Sequence, residues 1–250
     1  MKLHKRTFDT DKLTLCLQGD EHIGSKYHDG ELLKRVIDWE MEQDNVAVIG
    51  MGDLIECSTR DSVGAGVFEQ DEIVQKQLEH AVDLYKPLAD SGKLLGLHRG
   101  NHEQRVFNHS GLDLTAVMAK MLGIKNFGIG VAHKFRVGNQ NYTAYTAHGH
   151  SGARMVHTKI KATIDLANMI DVDIYAIGHL HQLSHHVREF YRVNMKKGIV
   201  EESSKHFLIT GSFLNHWGSY AQQAGYEMAR KGSPKIKLSG LEKQIRVSLG

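Results

Sequence analysis

The chain has 250 residues, 41% hydrophobic and 24% charged, enough for one large globular domain with a substantial core. A formal net charge of +2 excludes strong global attraction to polyanions, and no apolar run approaches the ~20 residues that span a bilayer. The opening MKLHKRTFDTDKLTL lacks the apolar stretch of a secretory signal. Two cysteines, Cys16 and Cys57, are too few for a disulfide framework, so reduced thiols in a cytoplasmic protein are expected.

Residues 13–18 read as a buried strand running into the loop Gly19-Asp20-Glu21-His22. Residues 31–43 read as a helix, with Asp29 as N-cap and Leu33, Val36, Ile37 and Met41 along its apolar face. A second buried strand over 46–51 ends at Gly52-Asp53, and residues 69–89 form a long amphipathic helix. A third strand over 93–98 is followed by the loop Arg99-Gly100-Asn101-His102-Glu103. This strand, loop, helix rhythm predicts an α/β sheet. Residues 112–122 and 156–170 look helical, whereas 142–147 and 173–177 look like strands that end at His148-Gly149-His150 and Gly178-His179-Leu180-His181. Residues 185–193, 206–210, 235–238 and 244–249 read as further, mostly antiparallel strands. With no repeat, low-complexity tract or linker-like stretch, residues 1–250 are expected to form a single domain of two packed mixed β-sheets flanked by helices.

Five times an apolar strand runs into a short loop bearing metal-ligand residue types: Asp20-x-His22, Gly52-Asp53, Gly100-Asn101-His102-Glu103, His148-Gly149-His150 and Gly178-His179-x-His181. Seventeen histidines are many for this length, and imidazole is a common transition-metal ligand. Each loop alone reads as an ordinary solvated turn. Loops at the carboxyl ends of strands in an α/β sheet converge on one crevice, however, so the five together predict one site.

The order Asp-x-His, Gly-Asp, Gly-Asn-His-Glu, His, Gly-His-x-His resembles the calcineurin-like metallophosphoesterases, over residues 20 to 181. The resemblance implies a four-layer α-β-β-α sandwich and a dinuclear centre of divalent cations that activates water for phosphate-ester hydrolysis. It implies Asp20, His22 and His181 on one cation, Asn101, His148 and His179 on the other, and Asp53 between them. His102 would be no ligand but the group that donates to the leaving oxygen. Mixed nitrogen and oxygen donors suit manganese first, with iron, zinc, nickel or cobalt as alternatives. Two such cations neutralise the anionic oxygens that otherwise repel an attacking water.

Glu103 and Glu56 are candidates to orient a histidine through a carboxylate–imidazole hydrogen bond, with a plain solvated carboxylate as the alternative. Arg99 and Arg60 are candidate site contacts, and His150 a substrate contact or equally a bystander. The aromatics of His216-Trp217-Gly218-Ser219-Tyr220 stack on a base or, more often at such spacing, pack against the sheet. Arg188, Arg192, Lys196 and Lys197 track a phosphate backbone or equally line a solvated strand face. Phosphoprotein phosphatases of this family carry an arginine four residues after the bridging aspartate, to grip a terminal phosphate. Here that position is Cys57. A diester with one negative charge needs such a fork less. The sequence therefore favours a phosphodiesterase acting on nucleic acid or nucleotides, similar to the Mre11/SbcD-like nuclease branch. The alternatives are a phosphomonoesterase or phosphoprotein phosphatase, and a non-catalytic metal-binding scaffold. No membrane partner is expected.

Overall fold

The computed structural model describes residues 3–59, 66–195, 197–223 and 225–249. In chain order these form β1 (Leu3–Phe8), β2 (Lys12–Gln18), α1 (Gly30–Glu42), β3 (Val46–Gly50), α2 (Val74–Asp90) and β4 (Leu94–His98). Next come α3 (Asn101–Ser110), α4 (Leu114–Met121), β5 (Lys125–Gly128), β6 (Gly130–Val137), β7 (Gln140–Ala147) and α5 (Val156–Ile164). The chain ends with β8 (Ile174–Ile177), β9 (Ser184–Asn194), β10 (Ile199–Ile209), the short α6 (Tyr220–Gln223), β11 (Lys235–Ser239) and β12 (Ile245–Ser248).

Two six-stranded mixed sheets result, ordered β12-β11-β2-β3-β4-β5 and β1-β6-β7-β8-β10-β9. Strand alternation explains their packing. Leu13, Leu15 and Leu17 of β2 point between the sheets, where they meet Phe135, Tyr142, Ala144 and Ile174, while Cys16 joins the core beneath the helices. Leu33 and Ile37 of α1 and Val82, Tyr85 and Leu88 of α2 cover the outer face of the first sheet. Ile160 and Ile164 of α5 cover Tyr175 and Phe207 on the outer face of the second. The layers are helix, sheet, sheet, helix, as expected.

Asp29 caps α1 as anticipated, its carboxylate accepting from the Leu32 amide at 3.0 Å. Two readings needed correction. Three strands, β1, β5 and β6, are absent from the sequence reading, and residues 101–103, expected in the loop that starts at Arg99, open helix α3 instead. The second error matters because it places His102 and Glu103 on a helix's first turn.

Strands β2 to β5 run parallel, as do β7, β8 and β10. The carboxyl ends of β2, β3 and β4 therefore lie side by side in one sheet, facing those of β7 and β8 in the other. No helix among the described residues is long and apolar enough to cross a membrane.

Candidate metal centre

Two loops set the site's frame. The chain after β2 lies against the chain after β3, with Asp20 N–H on Gly52 O (3.0 Å), His22 N–H on Asp53 O (3.0 Å) and Ile23 N–H on Leu54 O (2.9 Å). This ladder puts Asp20 and His22 beside Asp53. Space is tight: a Cβ at Gly100 would fall on the Asp53 amide and carboxylate, so only glycine lets these backbones meet. Among the described residues, the non-glycine positions with positive φ are Asp20, His22, Asp53, Cys57, His179 and His181, at 47–67°. Each such residue costs of order 1–3 kcal/mol, and such strain collects where function demands a particular aim. Five of the six are the aspartates and histidines singled out above.

Three clusters bring ligand atoms within 4.8 Å of one another: Asp20 with His22 and His181, His22 with Asp53 and His102, and Asp53 with His148 and His179. Asn101 joins the last through Oδ1, 2.9 Å from His148 Nε2. The five loops therefore converge, with Asp53 central. Asp20 and Asp53 are 0% and 1% exposed. Burial raises the pKa of such carboxyls, but the surrounding histidines outweigh it and hold both below their ordinary value, Asp53 by the wider margin. Asp20 also accepts the His179 amide at 3.0 and 2.9 Å, and Asp53 Oδ1 accepts the His102 amide at 2.8 Å.

The second ring nitrogen fixes each tautomer. His148 Nδ1 lies 2.9 Å from the Met51 carbonyl, a contact only an N–H can make, so its Nε2 lone pair faces Asn101 Oδ1 and Asp53 Oδ2 (3.2 Å). His22 Nδ1 likewise donates to Glu56 Oε2 at 3.0 Å, leaving Nε2 opposite His181 Nε2 at 3.3 Å, itself 3.3 Å from Asp20 Oδ1. Lone pairs meeting lone pairs repel unless positive charge lies between them. Although burial works against protonation, the neighbouring carboxylates raise His22 to about 9 and His148 to about 10. Rigid imidazole nitrogens with anchored far sides, aimed at aspartate and asparagine oxygens, fit borderline divalent cations.

His102 stands apart from that pattern. Its Nδ1 donates to the Glu56 carbonyl at 2.6 Å, and its Nε2 lies 3.8 Å from Asp53 Oδ2 and 3.0 Å from Arg105 Nη2. Burial first, then the His22 and Arg105 charges, lower its pKa to about 4 against the pull of Asp53 and Glu56, so the ring is neutral.

The remaining candidates separate clearly. Glu56 does orient a histidine: Oε2 takes His22 Nδ1–H and Oε1 accepts Ser58 Oγ–H at 2.8 Å. Glu103 corrects the expectation of a His102 partner. Fully buried at the start of α3, it accepts from the backbone N–H groups of Leu54 (2.8 Å), Gly100 (2.9 Å), Asp53 (3.2 Å) and Ile55 (3.3 Å). It latches the Asp53 loop to the helix, because a glutamate at the third helical position reaches back to the cap. Arg99 is committed elsewhere, 3.4 Å from Asp113 Oδ2 and over the Phe107 ring. His150 is exposed at the rim, its ring stacked on His179 with centroids 6.1 Å apart. Arg60 and Lys196 lie outside the described residues. Trp217 is 82% exposed rather than packed on a sheet. Arg188 and Arg192 sit on β9, beyond the residues of β10 that pair with β8, at the end of that sheet remote from His179.

Sequence reasoning missed Arg105 and Thr210, whose hydroxyl stands 3.5 Å from Asp20 Oδ2. Arg105 was discoverable: once residues 101–110 are helical, it occupies the same face as His102, three positions on.

No protein-family model matches this sequence, and no curated protein matches it. Among solved structures, a conserved uncharacterized protein of Streptococcus pneumoniae TIGR4, described as a predicted phosphoesterase, is 14% identical with a TM-score of 0.40, over 94% of this chain and 88% of that one. The nuclease MPE of Pseudomonas putida is 15% identical with a TM-score of 0.37, over 89% of this chain and 83% of the other. The NAD nucleotidase of Haemophilus influenzae is 11% identical with a TM-score of 0.44, over 95% of this chain and 49% of its own, so this chain spans about half its length.

Proposed function

We propose that this chain is a calcineurin-like metallophosphoesterase with a dinuclear centre, acting on phosphodiesters of nucleic acid or nucleotides. The observation that carries the reading is the convergence in one cluster of all seven candidate ligands, at the carboxyl ends of β2, β3, β4, β7 and β8, most of them held at positive φ. Asp20, His22 and His181 would hold one divalent cation, Asn101, His148 and His179 the other, and Asp53 both, manganese being the first choice for this donor set. When bound, the cations supply positive charge to the phosphate oxygens and make water more acidic at the site.

The protein's own groups do the rest. Met51 O and Glu56 fix the His148 and His22 tautomers, so both rings meet their ligand without first reorienting. Glu103 holds Asp53 still through the backbone, which keeps the two halves of the site at a constant separation. His102 works from Nε2, because Nδ1 is committed to the Glu56 carbonyl. Its amide on Asp53 Oδ1 fixes that ring beside the bridging carboxylate, where Nε2, unprotonated in the neutral ring, would take up a proton before it donates to the departing ester oxygen. With Cys57 buried at the position of the phosphatase arginine, a monoanionic diester is favoured over a dianionic monoester.

The test is hydrolysis of bis-(p-nitrophenyl) phosphate beside p-nitrophenyl phosphate, with Mn²⁺ or with EDTA. Diester turnover that vanishes in EDTA and in Asp53→Asn is expected. Monoester preference would overturn the diester assignment, and metal-independent turnover would overturn the site.

A further inference from the structure

Resting on that phosphoesterase reading, we propose that Arg105 grips the anionic oxygens of the substrate phosphate and thereby sets how well a monoester competes with a diester. The site otherwise holds three carboxylates, Asp20, Asp53 and Glu56, around the place a phosphate must enter. Cys57 offers no charge there. It is fully buried, and its amide is tied to Gln77 Oε1 at 2.9 Å.

Arg105 lies one helical turn after His102 and is partly buried. Its Nη2 is 3.0 Å from His102 Nε2 and its Nη1 3.4 Å from Nδ1. The two ring lone pairs diverge, so one guanidinium cannot donate in the ring plane to both, and Nδ1 already gives its proton to Glu56 O. The guanidinium therefore runs alongside the imidazole. On the ring's other contact, His22 meets it edge-on, with centroids 4.4 Å apart. The Arg105 guanidinium thus sets its positive charge beside Nε2, with Nη2 3.0 Å from that nitrogen. An ester oxygen that reaches hydrogen-bond distance of Nε2 comes within a small side-chain adjustment of Nη2. The planar fork of an arginine matches two phosphate oxygens, which a monoester dianion presents more fully than a diester.

The experiment measures inorganic phosphate affinity by calorimetry on the Mn²⁺-loaded protein, and both p-nitrophenyl esters kinetically, for the parent, Arg105→Lys and Arg105→Ala. Arg105→Ala is expected to weaken phosphate binding about 10- to 100-fold, the range for loss of charge-assisted hydrogen bonds. KM for the monoester should rise similarly and KM for the diester less. Arg105→Lys should fall between, and a few millimolar guanidinium should restore Arg105→Ala, which a residue that only props the His102 ring would not allow. Unchanged phosphate affinity in Arg105→Ala overturns the proposal, as does an equal KM rise for both esters without guanidinium rescue. If the parent hydrolyses neither ester yet loses phosphate binding in Arg105→Ala, the phosphoesterase reading fails and the Arg105 contact stands.

Discussion

Replacing Glu103 with glutamine tests whether this residue holds the loop or orients His102. The carboxylate accepts two short bonds, from Leu54 and Gly100 at 2.8 and 2.9 Å, and two longer ones, from Asp53 and Ile55 at 3.2 and 3.3 Å. A glutamine can keep one oxygen on the Leu54 and Ile55 amides, but its NH₂ then faces the Gly100 and Asp53 N–H groups, donor against donor. Burial, with Asp53 beside it, raises Glu103 to about 7, so above that pH the acceptor is charged. Hydrogen bonds to a charged acceptor contribute about 1.5–3 kcal/mol each, and a buried amide left unsatisfied costs about 1–3 kcal/mol. Glu103→Gln should therefore lose about 3–5 kcal/mol, and at roughly 2–4 °C per kcal/mol for a chain of this size Tm should fall by about 6–20 °C. Differential scanning calorimetry in EDTA reads this without any contribution from bound metal. A Tm within about 2 °C of the parent, accompanied by lost turnover, would refute the latch and restore the orienting role.

Three further outcomes are expected. Glu56→Ala should weaken Mn²⁺ binding by about 10–100-fold, the usual cost of losing the partner of a ligating histidine, because His22 Nδ1 loses its anchor; unchanged affinity in a metal titration would remove Glu56 from the site's support. A hydrogen-bonded chain joins the sheets beneath the site, from the Gly128 carbonyl through His98, Thr146 and His133 to His4. Burial lowers His98 and His4 to about 4 and His133 to about 2, so all three stay neutral when folded while the unfolded chain takes up protons below its ordinary histidine pKa of about 6.5. Stability should therefore be full above pH ~6.5 and fall as pH drops to ~4, by about 3 kcal/mol from His98 alone; a His98 imidazole that titrates by NMR near pH 6.5 would contradict this. Burial likewise raises Glu40 to about 8, a protonated carboxyl favoured by folding, so its contribution should fall as pH rises from ~4.5 through ~8. Glu40→Gln should flatten that alkaline loss in urea unfolding curves, and an unaltered slope would assign it to another group.

The identity and order of the chemistry were legible in the sequence because each ligand follows an apolar strand, and strands such as Leu13–Leu15–Leu17 announce themselves by burying one face. Hydrophobic strands ending in Gly-Asp or Gly-His turns are local signals, and local signals survive without a third dimension. The strands β1 and β6 escaped because their alternation is diluted by exposed charge, as in Lys5, Arg6, Lys134 and Arg136. Helix α3 escaped because Asn101–Ser110 is largely polar, and its helicity rests on the Glu103 capping contact and on packing. Tertiary structure alone decided which nitrogen of each histidine faces inward, since a backbone carbonyl 97 residues away does so for His148 and a glutamate 34 residues away for His22. It also decided that Glu103 turns toward backbone amides while Arg105 turns toward His102. Both follow from the first turn of a helix seated against the Asp53 loop, a juxtaposition that no window of sequence contains.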